Sequence, residues 1–343
     1  GDAVDSATIA IAEPRLSATA AKADEWMPLK PGTDGALAVA IAHVLLTEGL
    51  WYKDFVGDFT DGENRFVVGQ EVDAEMFEEK HTNGIVAWWN LELKDKTPEW
   101  AAKITDLPVE QIKRVAIGYG KAAPHAISWL GGGPCMQVRG GYAAMAVHAL
   151  NGIVGGVDNV GGTQQSNKEY TSKFPKPDDF MDEIAKKGKK HKKIDHRGRL
   201  EFPALNKGKS GGGVVTNNAA VGILNSDPNE IKVAIGYMNN FAFSCPQPER
   251  WERALAKIPF LAHITTNASE FSWFADIVLP DTHHMVEKWG YVKSIGNGYR
   301  QVTLMHPIVE PVWDYKIDET EIPWLIAEKL NERGFSNLLD HYK

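Results

Sequence analysis

The stretch "IKVAIGYMNNFAFSCPQPERWERALAKIPFLAHITTN", residues 231–267, decides how the rest of the chain is read. Residues 231–237 are a short apolar run that ends at Asn239-Asn240, which reads as a strand entering a turn. The segment PERWERALAKIP then shows helical spacing, and residues 260–267 return to a strand. A strand, a helix and a second strand, with no tight hairpin turn between them, is the pattern of a parallel α/β layer. ADIVLP, residues 275–280, adds another strand, and residues 318–334 read as a closing helix.

The same alternation is legible towards the N-terminus. Residues 7–15, ATIAIAEPR, read as a short buried strand ending in a Pro turn. Residues 31–49 carry helix-start chemistry: Thr33 or Asp34 can cap, an apolar periodic run follows, and Gly49 stops it. TPEWAAKITD and PVEQIKRVAIGYGKA each open on a Pro near the first helical turn. HAISWLGGG, residues 125–133, reads as a strand into a glycine-rich turn, and residues 136–156 as the helix after it. The expected architecture is therefore α/β: two Rossmann-like subdomains with mostly parallel sheets flanked by helices. The first spans residues 1–140 and the second 141–317, with a C-terminal helix at 318–343. A polar, Lys- and Gly-rich insertion interrupts the second at about 164–212. Its run from 186 to 199 holds Lys186, Lys187, Lys189, Lys190, Lys192, Lys193, Arg197 and Arg199. Such runs are most often solvated surface, with a phosphate- or partner-binding patch as the alternative.

Composition sets outer bounds. The 343 residues suffice for two or three domains, and 43% hydrophobic with 24% charged residues is ordinary for a globular protein. A net charge of -8 argues against a general nucleic-acid binder, whose phosphate contacts need a basic surface. No stretch approaches the about 18 consecutive apolar residues of a membrane span. Cys135 and Cys245 alone cannot hold a four-cysteine metal or iron–sulfur site, and read as two small buried thiols.

Several tempting features have bland readings. His283 and His284 point to opposite sides of a strand, or about 100° apart on a helix, so they do not chelate one ion easily. Asp281, one of these histidines and Glu287 make three ligands only by an unusual turn; a substrate-funnel role is the other option. Trp88, Trp89 and Trp273 could line a channel, with core packing as the commoner reason.

Four ordered motifs together resemble the large catalytic subunits of the molybdopterin oxidoreductase family, of the dimethyl-sulfoxide-reductase type. The first is EPRLSATAAKADEW followed by LKPGTDGALAVAIAHVL, with Glu13 where the family usually has Asp. The second is WLGGGPCMQVRGGYAAMAVHALNGIVGGVDNVGGT, where Met136 and Gln137 fall on positions that often carry Gln and His. The third is AIGYMNNFAFSCPQPERWERAL. The fourth joins FLAHITTNASEFSWFADIVLP to VEKWGYVKSIGNGYRQV, with Thr265 where an Asp is common. The bland readings stay beside these: a good helix cap at PGTD, a tight structural turn at GGGPC, and the turn preference of asparagine.

The resemblance implies a bis-molybdopterin guanine dinucleotide with molybdenum or tungsten. It carries cofactor contacts onto Glu13, Pro14, Arg15, Ser17, Gly32, Thr33, Asp34, Gly132, Met136, Asn239, Asn240, Thr265, Thr266, Lys288 and Asp314. A carboxylate at a strand end or helix start can accept two N–H bonds from a guanine edge. The chain is expected to be the middle of a longer subunit. A 4Fe-4S cysteine cluster and the metal ligand (Cys, selenocysteine, Ser or Asp) would precede Gly1, and a β-domain would follow Lys343. The implied function is the cofactor-binding core of an anaerobic respiratory reductase or dehydrogenase, inactive as a fragment. EKWG, with Asn297 and Arg300 after it, leans towards the arsenate, thiosulfate and tetrathionate type. The resemblance further implies an iron–sulfur electron-transfer subunit and a membrane anchor subunit as partners. No nucleic-acid partner and no membrane insertion of this chain are expected. The implied location is periplasmic or membrane-associated in a prokaryote, with a cytoplasmic one as the alternative. The runner-up is a scaffold or electron-transfer relative that has lost the molybdenum cofactor.

Overall fold

The computed structural model describes residues 7–137, 140–164, 175–197, 214–283, 286–296, 299–312 and 319–343. The chain divides into two compact units, residues 1–168 and 169–343.

The first unit is built around α1 (Asp34–Thr47), which is buried along nearly its whole length. Its run ALAVAIAHVLL has no polar face because other elements surround it. Helices α2 (Pro98–Thr105), α3 (Val109–Lys121) and α4 (Gly140–Ile153) all pack on α1. Two of these close approaches come at glycines. A Cβ at Gly35 would stand 3.3 Å from Ala143 of α4, and one at Gly120 would stand 2.6 Å from Leu45 and 2.8 Å from Leu50. The two expected Pro-opened helices form as read. Thr97 caps α2 by accepting from the Trp100 amide at 3.2 Å, and Pro108 precedes α3. Strands β1 (Ala10–Ala12) and β2 (Glu25–Met27) pair in parallel, with Ile11 opposite Trp26. A bidentate contact from Arg114 and a bond from Gln111, both to Glu25, tie β2 to α3. Strands β3 (Gly57–Phe59) and β4 (Phe77–Glu79) form an antiparallel pair beside Trp51.

In the second unit β5 (Val233–Tyr237), β6 (Phe260–Thr265) and β7 (Ile277–Pro280) form a parallel sheet in that order. Helix α5 (Thr216–Asn225) and helix α6 (Pro248–Ala256) supply its cover, with Trp251, Ala254 and Leu255 buried beneath. A 3-10 turn, Glu270–Phe274, presses Phe271 onto the sheet so closely that a Cβ at Gly236 would lie 2.5 Å from its ring. Strands β8 (Gly290–Gly296) and β9 (Tyr299–Met305) pair antiparallel, and helices α7 (Ile322–Asn331) and α8 (Asn337–Tyr342) close the chain.

The α/β reading holds: parallel sheets alternate with helices. Five local expectations change. Residues 126–130 are not assigned to a strand, because no described strand lies beside them. Instead the Asn151 side chain takes both backbone groups of Ser128, at 2.8 Å each. β1 is short and largely exposed rather than buried, since it has one partner strand and no layer over it. Thr33 stands at the N-cap of α1 but turns its hydroxyl back to the Lys30 carbonyl at 2.6 Å, so neither it nor Asp34 caps. Cys135 is exposed and Cys245 half-buried, so the thiols are not a buried pair. The closing segment is two helices, broken at Gly334, whose φ is +89°. The basic insertion also has structure. Residues Glu183–Lys189 form a helix capped by Asp182, and Asp195, 4% exposed, accepts from the Val215 amide and from Arg197.

Candidate functional site

In the first unit the candidate residues lie in two clusters. Glu13 follows β1, and its carboxylate accepts the Ser17 hydroxyl at 2.6 Å. Ser17 in turn accepts the Ala20 amide at 3.1 Å, and the Glu13 carbonyl accepts the Trp26 indole N–H at 2.8 Å. This chain of bonds fixes a turn whose other members, Pro14 and Arg15, are exposed.

The second cluster joins the PGTD turn to the glycine-rich turn. Gly32 has φ +81°, which a side chain resists, and its missing Cβ would lie 3.5 Å from the Gln137 amide oxygen. Thr33 and Asp34 follow at the α1 N-terminus, half-buried. Across from them residues Gly132–Cys135 make one helical turn, and Met136 is 86% exposed. The Cβ positions of Gly131 and Gly133 meet nothing within 4 Å. At Gly140 the opposite holds: a Cβ there would overlap the Cys135 carbonyl oxygen, so α4 closes against this turn only through glycine.

In the second unit the candidates sit at the carboxyl ends of three adjacent parallel strands, where open α/β sheets take their ligands. Met238, with φ +42°, turns the chain after β5 and donates to the Ile264 carbonyl at 3.0 Å. Asn239 comes next, and its Oδ1 is buried with no hydrogen-bond partner among the described residues. Asn240 is committed to structure: its Nδ2 donates to Glu270 at 2.6 Å, and its Oδ1 accepts the Phe271 amide at 3.1 Å. After β6, the Thr265 hydroxyl donates to the Asn267 carbonyl at 2.8 Å, and Thr266 is half-buried. Asp314 lies outside the described residues.

Past β7 stands a cluster that the local sequence did not announce as one locus. Asp281 is 2% exposed, and its amide donates to the Thr265 carbonyl at 3.0 Å. Its Oδ1 accepts the amides of Thr282, at 2.9 Å, and Glu319, at 3.0 Å. Lys288, 8% exposed, reaches Asp281 Oδ2 at 3.5 Å and forms a close ion pair with Glu319. Burial, then the hydrogen bond to Glu319, pushes the Asp281 carboxyl up to about 6, against the pull of Lys288. Burial also works to raise Glu319, but hydrogen bonds from Asp281, Lys288 and Tyr237 outweigh it and hold this carboxyl at about 2. The two carboxyls titrate together, and below about pH 6 the proton sits on Asp281 rather than on Glu319. The Thr282 hydroxyl, in a residue 3% exposed, has no partner among the described residues.

Glu287 of the EKWG motif has a structural task. It accepts the His283 amide at 2.6 Å and the Val312 amide at 3.1 Å, which holds its carboxyl below the usual range. His284 lies outside the described residues. Among the described residues no group of three or more His, Cys, Asp or Glu could hold a metal ion. Trp273 is exposed and Trp89 half-buried.

Sequence reasoning reached the strand ends but not Asp281, Thr282 and Glu319 as one locus. Asp281 carried a faint signal, a charged residue directly after an apolar strand. Glu319 carried none, being 38 residues further on, the separation of its amide contact with Asp281.

Glycine-rich and Asn-ended turns stand at strand and helix termini on two α/β units, the places where open α/β sheets take their ligands. The chain belongs to the molybdopterin oxidoreductase family, which matches it over residues 2–329. It is 55% identical over 336 residues to the molybdopterin-containing subunit of arsenate respiratory reductase from Shewanella sp. (strain ANA-3), covering 98% of this chain and 39% of that protein. The corresponding subunit from Chrysiogenes arsenatis is 51% identical, again over 98% and 39%. The thiosulfate reductase molybdopterin-containing subunit of Salmonella typhimurium is 25% identical over 94% of this chain and 39% of its own length. Among solved structures, acetylene hydratase from Pelobacter acetylenicus superposes with a TM-score of 0.66, covering 95% of this chain and 43% of that one at 18% identity, a likeness of fold. The chain thus spans about two fifths of the length of the curated relatives it matches.

The residues present fit a molybdopterin group. Gly131 and Gly133 leave backbone open to close approach, and the Asn239 and Thr282 oxygens are buried with no partner among the described residues.

Proposed function

We propose that this chain is the cofactor-binding core of the catalytic subunit of an anaerobic respiratory reductase of the arsenate, thiosulfate and tetrathionate type, with arsenate the favoured substrate. The reading rests on two halves. The 55% identity to an arsenate respiratory reductase subunit supports the substrate class. The glycine-rich turn is the observation that carries cofactor binding. At Gly131 and Gly133 nothing among the described residues packs where a side chain would stand, and a ligand pressed against the backbone would account for glycine there.

The cofactor is read as a bis-molybdopterin guanine dinucleotide carrying molybdenum or tungsten. When bound it supplies two-electron chemistry at the substrate, while the protein binds and orients it. Glu13, held by Ser17, offers a carboxylate edge to a guanine; Pro14 and Arg15 form the turn beside it. Gly32, Thr33 and Asp34, with Gly132 and Met136, line the other approach in the first unit. In the second unit Asn239, Thr266 and Thr282 present polar groups at the strand ends, while Asn240 and Thr265 brace the turns that carry them. An iron–sulfur subunit and a membrane anchor would exchange electrons with the longer protein, in the periplasm or at the membrane. Among the described residues no helix is long and apolar enough to cross a membrane.

The test is made on the full-length protein, purified anaerobically and denatured. Molybdenum or tungsten with two guanine nucleotides per chain is the expected release, together with arsenate-dependent oxidation of a reduced dye. A folded preparation that releases neither metal nor nucleotide refutes the reading.

A further inference from the structure

Lys288 entered as a direct cofactor contact, but its surroundings assign it another task. The ammonium is almost fully buried and already engages two carboxylates, Asp281 and Glu319. A lysine has three N–H donors, and a desolvated ammonium between two acids is held there by both. The cluster also spans the whole carboxyl edge of the sheet. Tyr237, the last residue of β5, bonds Glu319; Asp281, just past β7, bonds the last residue of β6 through its amide. The ends of all three strands therefore meet in one charged knot. Its neighbours along the chain are Asn239, Thr266 and Thr282, the polar groups that face a ligand in the reading above.

We propose that Lys288 is a positioning residue: it holds Asp281 and Glu319 together and so fixes the strand-end edge that presents Asn239, Thr266 and Thr282 to the cofactor. The inference rests on the proposed cofactor reading, but the clamp itself does not. Among the described residues the groups that face Asp281 are Glu319, Lys288, the Tyr237 phenol through Glu319, and the Thr282 and Glu319 amides. His263 of β6 sets its ring against Phe271, with Nδ1 on Ser272 and the Asn239 backbone close by, and burial lowers its pKa.

Removing the cation leaves a buried acid, Asp281, against a half-buried one, Glu319, with one compensating proton. Lys288 lowers the Asp281 carboxyl, so its removal raises that group further, and the proton is held at low pH and lost as pH rises. The consequence is a pH-dependent defect, which loss of a direct cofactor contact would not give.

The experiment compares full-length unmodified protein with Lys288→Met, Asp281→Asn and the double variant, prepared at about pH 5 and about pH 8. Bound pterin per chain and the thermal midpoint are both read. Lys288→Met is expected to keep under about a third of the pterin at the higher pH, with a midpoint lowered by roughly 5 °C or more. Most of both losses should return at the lower pH. The double variant should recover them at the higher pH as well, because one buried negative charge is gone. A loss in Lys288→Met that is equal at both pH values and unrelieved by Asp281→Asn overturns the proposal and makes Lys288 a direct contact. Absence of pterin from the unmodified protein sinks the cofactor reading instead. The clamp is then judged on the midpoints alone, where a pH-independent shift refutes it.

Discussion

Asn151 does the work of a missing strand, and replacing it gives a sharp test of that role. The residue is 3% exposed on α4, and its carboxamide pairs with both backbone groups of Ser128 at 2.8 Å. Its Nδ2 also donates to the His148 carbonyl at 3.2 Å. In Asn151→Leu the side-chain volume is nearly kept but the Ser128 N–H and C=O lose their partners. Each stranded group costs about 1–3 kcal/mol, and the added apolar burial returns part of that, so a net loss of about 2–4 kcal/mol is expected. Read by hydrogen exchange, the lower figure means that the Ser128 amide exchanges roughly 30-fold faster. Asn151→Asp is the control. It keeps an acceptor for the Ser128 N–H but turns an acid towards the Ser128 carbonyl. Burial raises the pKa of such an acid, so its stability is fullest at low pH, where the proton can be donated, and declines as pH rises through the raised pKa. Exchange at Ser128 within about threefold of the unmodified protein in Asn151→Leu would refute the account. The local unit would then hold residues 126–130 by some other means.

Two further outcomes follow from the first unit. Gly140→Ala places a methyl against the Cys135 and Pro134 carbonyls, so it should cost about 1–3 kcal/mol and displace the glycine-rich turn. A lowered thermal midpoint together with reduced pterin content checks this, and an unchanged midpoint contradicts it. Burial raises the Tyr119 phenol to about 12, against hydrogen bonds from Ser128 that lower it. The folded state therefore keeps this proton between about pH 10 and about pH 12 while the unfolded chain loses it, so stability falls as pH rises through that window. Absorbance titration near the tyrosinate band should show one phenol that ionises late, and its titrating with the exposed tyrosines would refute the burial.

How much of this was legible depended on whether the signal was local. The strand–helix–strand unit at residues 231–267 could be read because β-branched runs, a Pro-opened helix and an Asn-ended turn each act within a few residues. The helices at Pro98–Thr105 and Val109–Lys121 were equally plain. HAISWLGGG misled for a physical reason. An apolar run before a glycine turn has strand character, but a strand needs a neighbour, and here the neighbour is one asparagine side chain from a helix 23 residues on. Thr33 misled similarly, since a hydroxyl at a helix start can turn to the carbonyl behind it as readily as to the amides ahead.

The strand-end site shows the same division at the level of chemistry. The letters ADIVLP and EKWG marked the right turn, yet what each charged residue does there is set by partners that sequence distance hides. Glu287 bonds two backbone amides, and Lys288, one residue on, meets Asp281 behind it and Glu319 far ahead. Adjacent residues of one motif thus divide between loop closure and charge compensation. An ammonium that compensates two carboxylates cannot also be given wholly to a ligand without stranding them. Asn239 Oδ1 and Thr282 Oγ1 are among the buried polar atoms that have no partner among the described residues, and a bound group would satisfy them. On the proposed reading the binding contacts at this edge fall to small uncharged residues, and the conspicuous charges keep those residues in place.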